Sequence, residues 1–138
     1  MKGKLIWIIF WAMVGVFAIA VCTMFIPPIG RSPVRFSGFA VWPVLAGLGV
    51  ALLVLTVKAK AGGMLEKFLL LTGASAVGLP VFAILHNVVS GLFNTEEPVF
   101  FIIATIVCPL GFLVGAIGII YLAIKSKRAG QTIKLKGD

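Results

Sequence analysis

Charged and apolar residues occupy separate blocks along this chain. Four blocks contain no Asp, Glu, Lys or Arg, and they cover residues 5–26, 36–57, 68–93 and 98–124. Each block holds at least 22 residues, and a helix of about 20 apolar residues crosses the hydrocarbon core of a bilayer. Lipid offers the backbone no hydrogen-bond partners, so such segments must be helical. The pattern predicts four transmembrane helices, at about residues 5–27, 36–58, 66–93 and 98–125.

Composition supports an all-α, polytopic membrane protein. Apolar residues make up 61% of the chain and charged residues 12%, against about 45–50% and about 25% in soluble domains. We predict one four-helix bundle spanning residues 1–138, with residues 126–138 as a basic tail. Lys2 and Lys4 resemble the start of a signal peptide, but the apolar run after them exceeds the usual 7–15 residues. The first helix is therefore expected to be retained.

The distribution of cations predicts the orientation in the membrane. Ten of the 12 Lys and Arg residues fall at one end of the predicted bundle: Lys2, Lys4, Lys58, Lys60, Lys67, Lys125, Lys127, Arg128, Lys134 and Lys136. Cytoplasmic loops carry such an excess, so both termini are expected in the cytoplasm of a multi-pass cell-membrane protein. Arg31, Arg35, Glu96 and Glu97 then lie outside. They are expected to form ion pairs there, with an anion site as the alternative.

The net charge of +8 does not indicate nucleic-acid binding. No basic patch is interleaved with stacking aromatic residues outside the apolar blocks. The cations of the tail are explained by orientation alone. The same cations could also contact anionic lipid headgroups, and both interpretations stay open.

Small residues at helical spacing predict close helix packing, which is how membrane helices associate. The fourth helix has the longest such face, formed by Ala104, Cys108, Gly111, Gly115 and Gly118. Shorter faces are Ala12, Gly15, Ile19 and Cys22 in the first helix, and Gly47 and Ala51 in the second. The partner helix could belong to this chain, to a second copy in a homo-oligomer, or to a larger membrane complex. The two cysteines match no zinc or redox spacing.

Three prolines interrupt the apolar blocks, at Pro43, Pro80 and Pro109. Each removes a backbone donor and is expected to kink its helix, as a tolerated bend or as a hinge beside a binding site. Aligning Pro43 with Pro109 also aligns Gly49 with Gly115, at an offset of 66 residues. This weak repeat predicts two tandem helical hairpins, with chance recurrence of Gly and Pro as the alternative.

A polar stripe along the third helix is the only candidate for chemistry. Thr72, Ser75, His86 and Ser90 share one helical face, and Asn87 lies beside it. Polar groups inside a membrane should face protein or water. The stripe could pack against neighbouring helices, or form a ligand site or polar pathway. One His without further ligands does not make a metal or haem site, so no metal or cofactor is expected.

Three classes of function require different features of a membrane sequence. An accessory, assembly or scaffold subunit needs only helices, small-residue faces and a charged tail, and this chain has them all. A transporter or channel would usually place a charged residue inside the membrane, which leaves a neutral or small solute and a site around His86 as the alternative. An enzyme needs a nucleophile with a base, or a metal set. We therefore predict a non-enzymatic membrane subunit.

Overall fold

The computed structural model describes residues 2–25, 34–60, 62–94 and 98–135, with side chains over 4–22, 41–60, 62–94 and 98–128. Every element in these ranges is helical. The elements are α1 (Lys2–Phe25), α2 (Val34–Ala59), α3 (Gly63–Phe93), α4 (Pro98–Ile102), a π-helical segment (Ile103–Val107) and α5 (Cys108–Leu135). The last three follow one another directly, so α5 continues into residues that were predicted as a basic tail.

Four helices of the described part are long and apolar enough to cross a membrane, as predicted. The spans are Lys4–Cys22, Val41–Ala59, Gly63–Phe93 and Pro98–Arg128. Large apolar side chains cover the outside of the bundle, and Ile8, Ile84 and Ile117 are all more than 60% exposed. An apolar surface of this extent would promote association in water but suits lipid. The prediction of an all-helical chain with four helices long and apolar enough to span a membrane is therefore confirmed.

Contacts between the helices show that they run alternately up and down. Gly49 of α2 lies beside residues 73–77 of α3, and Gly73 lies beside Leu53. Gly111, Gly115 and Gly118 of α5 meet Ser75, Thr72 and Phe68 of α3 in reverse order. As a result α3 packs closely along both α2 and α5, whereas α1 packs mainly along α2. The starts of α1 and α3 and the end of α5 gather at one end, here called the lysine-rich end.

The turn between α2 and α3 depends on glycine. Gly62 and Gly63 have φ angles of 66° and 67°, a region that residues with a Cβ seldom adopt. Glu66 then closes the start of α3, because its Oε2 accepts the Gly62 N–H at 2.7 Å. This bond satisfies one of the backbone donors that a helix start leaves unpaired.

Large apolar side chains fill the interior of the bundle. Phe10 and Met13 of α1, Leu45 and Leu52 of α2, and Phe112 and Ile119 of α5 are at most 1% exposed. The rings of Phe17 and Phe112 stack across α1 and α5 with centroids 4.0 Å apart. These side chains form a closely packed interior.

The local structure at Pro109 differs from that at the other two prolines. The helices α2 and α3 continue through Pro43 and Pro80. Ahead of Pro109 the helix widens to π geometry, and the Cys108 N–H donates to the Ile103 carbonyl five residues back. A proline ring clashes with the carbonyl four residues earlier and offers it no N–H, and one wider turn relieves that clash. The hydroxyl of Thr105 donates to the Phe101 carbonyl in the same segment.

Candidate functional site

The structure divides the polar stripe of α3 into two parts. Thr72 and Ser75 are buried and lie under the glycine face of α5, where Thr72 contacts Gly115 and Ser75 contacts Gly111. The Thr72 hydroxyl also donates to the Phe68 carbonyl at 2.7 Å. These two side chains therefore belong to a helix–helix contact rather than to an open site.

The other part of the stripe lies at the end opposite the lysines. The half-buried His86 ring is 5.4 Å from the Phe101 ring of α4, at an angle of 52°. Asn87 is exposed, and its amide donates to the Ala83 carbonyl of the same helix at 2.8 Å. The Ser90 hydroxyl oxygen is shielded and has no hydrogen-bond partner among the described residues. His86 thus borders the contact between α3 and the segment leading to Pro109, and Ser90 lies one helical turn further along α3.

Glycines of α5 make the tightest contact in the bundle. A Cβ built on Gly115 would lie 3.0 Å from the Phe68 carbonyl oxygen, and one on Gly118 would lie 2.6 Å from the Phe68 ring. Further along the same face, Cys108 and Ala104 are buried, and Cys108 Sγ lies against Gly78. The small-residue face of α5 therefore faces α3 of the same chain.

Small residues of α1 and α2 behave differently. Gly15 and Gly47 are exposed, and a Cβ on either would meet nothing within 4 Å. Neither glycine packs against another helix in the described part of the chain. The contact of α2 uses Gly49 instead, which faces Gly73 and Ala76. Sequence reasoning missed this role of Gly49 and Gly73, although a stripe at helical spacing in α2 marks the buried face: Leu45, Gly49, Leu52 and Thr56.

The cysteines do not pair in this structure. Both are free thiols, with Cys22 exposed and Cys108 buried. Among the described residues, no three His, Cys, Asp or Glu side chains come together as a metal site would require. The predicted pairing of Arg31 and Arg35 with Glu96 and Glu97 lies outside the described side chains.

A groove that sequence reasoning missed lies at the lysine-rich end. Its volume is about 650 Å³, and α1, α3 and α5 each contribute to its walls. The lining consists of Trp7, Trp11, Leu65, Ile120, Leu122, Ala123, Ile124, Ser126 and Lys127. The groove forms between three helices, so the sequence pattern of any one helix does not reveal it. Neither His86 nor Ser90 borders this groove.

Comparison with known proteins does not identify a relative. No protein-family model, curated protein or solved structure matches this chain.

Proposed function

We propose that this protein is a non-enzymatic accessory or assembly subunit of the membrane, acting through helix–helix packing. One observation carries the proposal: the described residues leave the small-residue face of α1 uncovered, whereas the matching face of α5 is used within the chain. Ala12, Gly15, Ile19 and Cys22 recur along one side of α1, and all four are exposed. Small residues pack helices in lipid by letting two backbones approach. This face is therefore suited to a helix of a second copy or of another subunit.

The filled interior supports the same function. Phe10, Phe17 and Phe112 occupy the centre of the bundle at no more than 6% exposure. A solute path through a single chain would have to displace these rings. Contacts on the outside of the bundle then become the main way for the protein to act.

Cys22 gives a direct test, because it lies on the proposed face and Cys108 is buried. A bismaleimide applied to native membranes should link Cys22 to a neighbouring chain. Gly15→Leu adds bulk at the contact and should lower the yield roughly tenfold, since overpacking costs about 1–3 kcal/mol. Gly91→Leu is the matched control, because Gly91 is exposed, has open space around it, and lies on α3.

The mass of the linked product separates a homo-oligomer from a complex with another subunit. No linked product, or a yield that Gly15→Leu leaves unchanged, would contradict the proposed function. The proposal also includes a cell-membrane location with both termini in the cytoplasm, which the grouping of ten cations at one end supports.

Transport of a neutral or small solute is a second candidate, and the Ser90 hydroxyl favours it. A shielded hydroxyl without a partner is costly, and a bound solute or water would satisfy it. Polar residues in membrane helices commonly mark such pathways, and π-helical turns are frequent at functional sites. Ser90→Ala should then reduce solute uptake into proteoliposomes while leaving the folded protein equally stable. Unchanged uptake in Ser90→Ala and His86→Ala proteins would contradict this candidate.

A further inference from the structure

The groove at the lysine-rich end borders a closely packed region of the bundle. Trp7 and Leu65 of its lining also line a second, smaller space with Phe10, Leu69 and Ile119, which are at most 3% exposed. Only about 20 Å³ of space remains among these side chains, which is near the smallest volume that holds one water. The main groove, at about 650 Å³, falls in the range of small-molecule sites. Packing therefore separates the groove from the bundle interior.

The lining changes from apolar to polar along the groove. Most of the lining is apolar or aromatic. The two exceptions, Ser126 and Lys127, are its last two residues on α5. The apolar stretch of α5 ends at Ile124. The apolar part of the groove therefore lies at the level of the lipid chains, and Ser126 and Lys127 lie nearer the membrane surface. An occupant that fits has an apolar chain joined to an anionic or hydrogen-bonding head.

Charge around the groove favours an anion. Lys4 and Lys125 are exposed at the same end as Lys127, and among the described residues no Asp or Glu lines the groove. A second copy seated in this groove in the same orientation would place its own lysines beside Lys127, and like charges placed together oppose association. Cations near a membrane surface instead attract anionic lipid, at about 1 kcal/mol each.

We propose that the groove binds an anionic phospholipid from the leaflet at the lysine-rich end. One acyl chain lies between Trp7, Trp11 and Ile120, and the phosphate contacts Lys127 and Ser126. Gly15 is not part of the groove lining, although Trp11 lies one helical turn before it on α1.

Tryptophan fluorescence tests the site, because two of the three tryptophans line the groove. Trp42→Phe removes the third, which lies on α2. The purified full-length protein in nanodiscs is titrated with phosphatidylglycerol or phosphatidylcholine, each brominated on the acyl chain. Ordinary contact with surrounding lipid quenches equally for both lipids. A site with one effective cation should favour phosphatidylglycerol about fivefold.

Two variants assign this preference to the groove. Lys127→Gln should lower it to near one, whereas Lys58→Gln should keep it, because Lys58 is exposed at the same end on α2 and does not line the groove. Ala123→Phe should weaken quenching by both lipids by filling the groove. Equal quenching by the two lipids in the parent protein would overturn the proposal. So would an equal loss of preference in the two lysine variants, which would indicate surface charge alone.

Discussion

At the scale of single residues, His86 and Asn87 are neighbours with different surroundings. The His86 imidazole lies against Phe101 of another helix, whereas the Asn87 amide donates to a carbonyl of its own helix and is exposed. Contacts across helices stabilise the tertiary structure, and a bond within one helix persists even when helices separate. The sequence analysis made both residues candidates for a polar site. Spacing along α3 does not distinguish a side chain that contacts another helix from one that bonds within its own helix.

We therefore predict unequal effects of removing the two side chains. His86→Ala should lower the free energy of unfolding by about 1 kcal/mol, because it removes an aromatic contact between helices. Asn87→Ala, the matched control, should change it by less than about 0.5 kcal/mol. Reversible unfolding in mixed detergent micelles measures both. Equal values for the two variants would show that the contact with Phe101 contributes nothing.

At the scale of helices, two glycines at helical positions, Gly115 of α5 and Gly47 of α2, have opposite surroundings. Gly115 lies where the backbone of α3 approaches, while Gly47 faces open space. Gly115→Ala should lower the free energy of unfolding by about 1–3 kcal/mol, because its Cβ would overlap Thr72 and Phe68. Gly47→Ala should raise it by about 0.5–1 kcal/mol, because alanine favours the helix and meets no neighbour. Unfolding of the purified variants measures both values. A change in the free energy of unfolding of the same sign in both variants would contradict the prediction.

Helices were easier to predict here than their contacts. The four spans follow from charge-free blocks of membrane length, a property of each segment alone. The use of Gly49 and Gly73 depends on which faces of α2 and α3 meet, and small residues elsewhere on α2 looked equally suitable. The π-helical turn before Pro109 was also missed. Pro43 and Pro80 lie within regular α-helices. A proline in the sequence therefore does not by itself predict a π-helical turn.

At the scale of the whole molecule, the packing does not follow the symmetry that the weak repeat suggests. A twofold axis relating two tandem hairpins would make the contact of α1 with α5 resemble that of α2 with α3. Instead α2 and α3 meet through Gly49 and Gly73, while α1 and α5 meet through the stacked rings of Phe17 and Phe112. The groove lies along the same pair of helices, toward the lysine-rich end. The duplication itself stays a prediction.

We predict that the lysine-rich end of the bundle faces the cytoplasm, because the sequence groups ten of its 12 cations at that end. Single cysteines are introduced as Asn94→Cys and Ser126→Cys, at exposed positions near opposite ends, in a background carrying Cys22→Ser and Cys108→Ala. A membrane-impermeant maleimide on intact cells should label the protein with Asn94→Cys. It should label the protein with Ser126→Cys only after permeabilisation, because cation-rich ends stay in the cytoplasm. Labelling after permeabilisation controls for access in both. Labelling at position 126 in intact cells would reverse the orientation, and would place the lipid groove in the outer leaflet.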